Sequence, residues 1–169
     1  MYQGDLNSLI HLPQHKYNSL EVMDLMQHLI SAMEAVHSLG LAHRDIKPSN
    51  CLLEKRPVPD VSKALPGEWS TLPYRLKLCD FGVCFVDSSN ATVGQKFQNV
   101  FGLSVRYAAP EIFTRFSKGG GSLEDFQMAD VYSFAILVWE LMNREMPWGN
   151  DMTTGVNLAC LLFLLLAFP

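Results

Sequence analysis

The sequence predicts a mainly α fold with a small β-hairpin, and three observations carry that expectation. Apolar residues recur at helical spacing from Ser19 to Leu39, a nearly all-apolar stretch runs from Asp130 to Met142, and two short apolar pieces lie between them.

In the first stretch Val22, Met26, Leu29, Met33 and Val36 fall three or four residues apart, so they share one face of a helix. Asn18 and Glu21 have the spacing of a capping box, and Gly40 stands where a left-handed stop is expected. Cys51-Leu52-Leu53 and Leu76-Lys77-Leu78-Cys79 read as the two strands of the hairpin, separated by a Pro-rich polar insertion from Glu54 to Arg75. The stretch from Asp130 to Met142 is apolar almost all round, which a helix tolerates only when buried on most sides, so it is expected to be the central helix. Between Glu111 and Asp130, Ser117-Lys118-Gly119-Gly120-Gly121-Ser122 predicts a flexible surface loop, because consecutive glycines are costly to hold in a regular element.

A chain of 169 residues is long enough for one domain with its own core, or for part of a larger one. The net charge of -4 and the scatter of the thirteen Lys and Arg argue against a nucleic-acid partner, since phosphate contacts need a clustered basic surface. Cys51, Cys79, Cys84 and Cys160 form no C-x-x-C pair and no metal-ligand spacing, which predicts reduced core thiols. No cationic region leads into an apolar stretch at the start, so no secretory leader is expected and the cytoplasm is the expected compartment. Leu158 to Phe168 is an unbroken apolar run of about eleven residues, short of the roughly twenty that cross a bilayer. A buried helix, or a segment whose continuation lies elsewhere, is preferred for it over a membrane anchor.

Chemistry concentrates in His43-Arg44-Asp45-Ile46-Lys47-Pro48-Ser49-Asn50, followed by Asp80-Phe81-Gly82 and by Ala109-Pro110-Glu111. This ordered set fills every fixed position of H-R-D-x-x-x-x-N and continues with D-F-G and A-P-E. Over residues 1–149 the chain resembles the catalytic domain of eukaryotic-type protein kinases, with 150–169 as a divergent apolar tail.

The resemblance implies the C-terminal lobe of the protein-kinase-like α+β fold, ATP and Mg2+ as cofactors and a protein substrate. Asp45 would accept the hydrogen bond of the substrate hydroxyl, and Lys47 would neutralise the γ-phosphate. Asn50 and Asp80 would bind magnesium through oxygen. His43 and Phe81 match residues that stack the active-site loops onto the Asp130 helix, and Gly82 completes D-F-G. Asp130 matches an aspartate that braces the catalytic loop. Arg44 matches an arginine that pairs with a phosphate on the activation segment, which makes Ser88, Ser89 and Thr92 candidate phosphosites; ordinary solvated hydroxyls are the alternative. Leu52 and Cys79 match residues lining the adenine pocket, although both would serve equally as core. Asp5 is read either as a ribose contact or as a helix N-cap.

Lys47-Pro48-Ser49-Asn50 is similar to Ser/Thr kinases, and Ser104 falls where they usually carry a threonine touching the catalytic loop. Val105-Arg106 before an aromatic is similar to tyrosine kinases, so a tyrosine-kinase-like Ser/Thr kinase is the subgroup implied. Two family features are missing. Before His43 the only lysine is Lys16 and the only early glycine is Gly4, so neither a Gly-rich phosphate loop nor a strand lysine is present there. The family's arginine partner for Glu111 also has no counterpart. The expectation is a kinase fragment lacking the N-terminal lobe, with a non-catalytic kinase-like binding module as the alternative.

Overall fold

The computed structural model of the chain describes residues 2–14, 17–55, 74–86, 104–114 and 121–149. Its first element, β1 (Tyr2–Asp5), runs directly into a short helix, α1 (Leu6–Ile10). The side chain of Asp5 caps that helix by accepting from the Ser8 backbone N–H at 2.8 Å. Helix α2 (Ser19–Ser38) starts at the predicted capping box, with Asn18 and Glu21 each bonding the other's backbone N–H. It ends before Gly40, which takes φ +72° and turns the chain into β2 (Leu41–Ala42). The buried face of α2 is Leu25, Leu29, Met33 and Val36; Val22 and Met26 sit at its rim.

The predicted hairpin forms as β3 (Cys51–Lys55) and β4 (Tyr74–Leu78), antiparallel with Cys51 opposite Leu78 and Leu53 opposite Leu76. It is wider than the sequence pattern shows. Strand β1 adds to the other edge of β3, giving the order β1-β3-β4, and a second sheet pairs β2 with β5 (Phe85–Val86). Such short strands carry no periodic signal of their own and form because partners satisfy their backbone groups. The fold is thus mixed α/β with small sheets.

After α3 (Pro110–Thr114) comes α4 (Leu123–Asn143). It begins seven residues earlier than the apolar pattern predicts, because Ser122 and Asp125 form a second capping box. It is also less enclosed than expected: Leu137, Leu141, Ala129 and Phe126 are buried, while Met128, Val131, Trp139 and Met142 are exposed among the described residues. The main core joins Leu6 and Ile10 of α1, Leu25 and Leu29 of α2, Leu53 and Leu76 of the hairpin, and Leu137 and Leu141 of α4. Ile46, fully buried in this cluster, fixes the loop between β2 and β3 from within. The 54–75 insertion beyond Lys55, most of the glycine loop, Ser88, Ser89, Thr92 and the apolar tail lie outside the described residues. Among the described residues no helix is long and apolar enough to cross a membrane.

Candidate active site

The loop between β2 and β3 is held from below by a carboxylate of α4. Asp130, fully buried, accepts from the backbone N–H of His43 at 2.7 Å and of Arg44 at 2.7 Å, and lies 2.9 Å from His37 Nε2 at the end of α2. A buried carboxylate needs such donors to offset its lost hydration. His37 has no motif to announce it; only its place in the last turn of α2 brings it to Asp130. Arg44 takes φ +69°, a conformation non-glycine residues rarely hold, and the Asp130 clamp keeps it there. Its guanidinium stacks 4.9 Å over the Phe126 ring, and burial lowers its pKa. The His43 side chain donates from Nε2 to the Cys79 carbonyl at 2.9 Å and lies edge-on to Phe81 with ring centroids 4.8 Å apart. His43 therefore ties the 43–50 loop to the D-F-G segment.

Asp45 projects from this scaffold with Lys47, Asn50 and Ser104 around it. Its Oδ2 accepts from Lys47 Nζ at 2.7 Å and from Asn50 Nδ2 at 2.9 Å, and its Oδ1 accepts from the Ser104 backbone N–H at 3.2 Å. Lys47 Nζ also donates to Ser104 Oγ at 2.7 Å, so Ser104 makes the contacts its sequence position predicts. Burial pushes the Asp45 carboxyl up, but the hydrogen bonds from Lys47, Ser104 and Asn50, with the Lys47 charge, outweigh it and hold the group below the usual carboxylate range. Asp45 is thereby kept ionised and aimed, the state a hydrogen-bond acceptor for an incoming hydroxyl requires.

Asn50 Nδ2 bonds both the backbone oxygen and the side chain of Asp45, which leaves its amide oxygen to meet a cation. Asp80 is exposed and adopts φ +65°, its Oδ1 accepting from Gly82 N–H at 3.3 Å. A Cβ on Gly82 would stand 3.2 Å from that oxygen, so a larger residue there would require the Asp80 carboxylate to shift by a few tenths of an ångström. A carboxylate and an amide oxygen are hard donors, and the pair suits magnesium, which fills its remaining positions with water and phosphate oxygen.

The three residues read as candidate nucleotide contacts share one sheet face. Asp5 and Lys77 stand opposite Leu52 on its two flanks, and Cys79 lies two residues beyond Lys77, so pairing and alternation put Asp5, Leu52 and Cys79 together. That face is opposite the one bearing the buried Cys51 and Leu53. Asp5 is an N-cap, the second of its two readings, and stands beside Leu52 at once.

On the far side, Glu111 Oε2 is buried with no hydrogen-bond partner among the described residues. A second buried carboxylate was missed in the sequence. Glu140 of α4 accepts from Tyr107 Oη at 2.6 Å and lies 2.9 Å from His11 Nε2, so it joins the end of α1 to the segment that carries Ser104. Burial, then the bond to Glu140, pushes the Tyr107 phenol far up. Trp148 Nε1 donates to the Arg106 carbonyl at 2.9 Å, and Arg106 donates to the Gly149 carbonyl at 2.9 Å. The 104–111 segment is thus fastened on both sides of Tyr107.

Comparison with known proteins bears on the whole chain. A family model described as protein kinase domain matches residues 1–163. A mitogen-activated protein kinase kinase kinase 7-like protein of Drosophila melanogaster is 34% identical over 121 residues, covering 70% of this chain and 23% of that protein. A serine/threonine-protein kinase/receptor of Acanthamoeba polyphaga mimivirus is 32% identical over 116 residues, covering 69% of this chain and 6% of that protein. The chain spans less than a quarter of the length of these relatives. Among solved structures, one of the yeast RNA Pol II CTD kinase CTDK-1 complex matches with a TM-score of 0.65 at 21% identity, covering 93% of this chain and 43% of that one, a likeness of fold.

Proposed function

This chain belongs to the protein kinase family, and from that premise we propose that it carries the phosphoryl-transfer site of a protein serine/threonine kinase. The observation that carries the reading is the Asp45 carboxylate, ionised and held by Lys47, Asn50 and Ser104. Asp45 accepts the hydrogen bond of the substrate hydroxyl, orients the oxygen lone pair and takes the proton as the new oxygen–phosphorus bond forms and the bond from the γ-phosphorus to the β,γ-bridging oxygen of ATP breaks, with ADP as the leaving group. Lys47 lies 2.7 Å from Asp45, where its charge also faces the transferring group. Bound magnesium, on Asn50 and Asp80, would neutralise the phosphate charge of ATP. Lys47 and Ser104 support Ser/Thr acceptors, within the tyrosine-kinase-like subgroup, and the proposed setting is cytoplasmic.

Upstream of His43 the sequence contains neither the Gly-rich phosphate loop nor the strand lysine that kinases use to clamp ATP. We therefore expect no measurable transfer from these residues alone and transfer only where a longer product of the gene supplies those parts. In such a protein Asp45→Asn should lower kcat on Ser and Thr peptides by about 10²- to 10⁴-fold, the usual worth of a positioned base. Unchanged transfer in Asp45→Asn would overturn the reading. The missing clamp also favours a second reading, a kinase-like binding module without catalysis; a longer product that carries the clamp yet phosphorylates no Ser, Thr or Tyr peptide would select it.

A further inference from the structure

Helix α4 presents an apolar stripe that no described residue covers. Met128 (60% exposed), Val131 (45%), Trp139 (44%) and Met142 (66%), with the exposed Ala135 between them, step along the helix by three, four, four and three residues. Those steps keep one face, about 21 Å long at 1.5 Å per residue. No charged side chain interrupts the stripe, and an exposed apolar face of this extent marks a place where something docks.

We propose that the occupant is the chain's own apolar segment from Val156 to Phe168. Three observations favour it. Beyond Asp151 the sequence contains no charged residue, so the segment matches the stripe in chemistry. A helix of thirteen residues would span about 20 Å, the length of the stripe. The third observation is the tether. Residues 148 and 149 are pinned to Arg106 through Trp148 Nε1 and the Gly149 carbonyl, close in sequence to the end of α4 at Asn143. The six residues 150–155 then reach up to about 20 Å, enough to return the segment onto α4. A short tether of this kind holds the segment at an effective concentration in the millimolar range, which a second copy of the chain has to outcompete. The proposal is independent of the chemistry performed at Asp45.

Methionine oxidation reads it directly on the intact chain. In dilute hydrogen peroxide, with site rates followed by peptide mass spectrometry, Met23 (63% exposed on α2) marks the open rate and Met33 (7%) the buried one. Met128 and Met142 should oxidise about tenfold or more slowly than Met23, independent of protein dilution, where tenfold corresponds to docking favoured by about 1.4 kcal/mol. In Leu161→Asp/Leu165→Asp both should rise to the Met23 rate while Met33 stays slow. If Met33 becomes fast, showing loss of fold, Leu161→Ser/Leu165→Ser replaces that variant. Rates equal to Met23 in the unaltered chain overturn the proposal. Protection that disappears on dilution identifies a second copy instead, protection that appears only with phosphatidylcholine vesicles identifies a membrane, and protection that survives the substitutions removes the segment as the cause.

Discussion

Three donors converge on Asp45, and the consequence is a carboxylate whose charge the fold protects. Its folded pKa lies below the unfolded value of about 3.9, so its contribution to stability is fully present above that value. The contribution disappears as pH falls through the lower folded pKa. We predict that the stability difference between the native chain and Asp45→Asn, from urea titrations, is constant from pH 7 to about 5 and shrinks below about 4. A difference that stays constant through the acid range would show that Asp45 gains nothing from its donors. Both non-glycine residues of the catalytic and D-F-G loops with positive φ, Arg44 and Asp80, hold their conformations through bonds to other parts of the site: Arg44 by Asp130, Asp80 by Gly82. Backbone strain of this kind persists only where the surroundings over-determine it.

At the scale of elements, Glu140 makes α4 a bracket between the end of α1 and the segment bearing Ser104. Tyr107→Phe would remove the 2.6 Å bond and leave a buried carboxylate oxygen without its donor, a loss of about 1.5–3 kcal/mol in unfolding free energy. Tyr17→Phe, which breaks the 2.6 Å bond to the Leu141 carbonyl, should cost about 1 kcal/mol. Urea unfolding of both variants checks the order, and equal losses would mean that Glu140 is reached by water. What was readable in the sequence follows the same division. Residues 19–38 carried both periodicity and a capping box, so that helix and its start were legible. The start of α4 was not, because Ser122 sits against a glycine run that reads as loop, and its capping partner Asp125 precedes the apolar pattern. The catalytic loop was legible because its spacing is a fixed string, whereas His11, His37 and Glu140 act through separations of 93 and 129 residues that no local pattern encodes.

At the scale of the whole molecule, two carboxylates bracket the site and differ in how the fold compensates them. Asp130 has two backbone donors and His37, all within hydrogen-bond distance. Glu111 Oε2 has no partner among the described residues, and the sequence contains no Lys or Arg beyond Arg144. Removing a compensated buried charge leaves its donors unsatisfied, while neutralising an uncompensated one removes a desolvation cost. Asp130→Asn should therefore destabilise by about 2–3 kcal/mol, since an amide can accept through only one oxygen and turns its NH2 toward donors. Glu111→Gln should be neutral or stabilising by up to about 1 kcal/mol, because the amide keeps the shape and sheds the charge. Urea midpoints at neutral pH and low salt separate the two. A loss in Glu111→Gln as large as in Asp130→Asn would show that Glu111 pairs with a cation outside the described residues. Among the residues of this sequence that lie outside the described ones, Lys16, Arg56, Lys63, Lys96, Arg115 and Lys118 are the Lys and Arg side chains available to supply it.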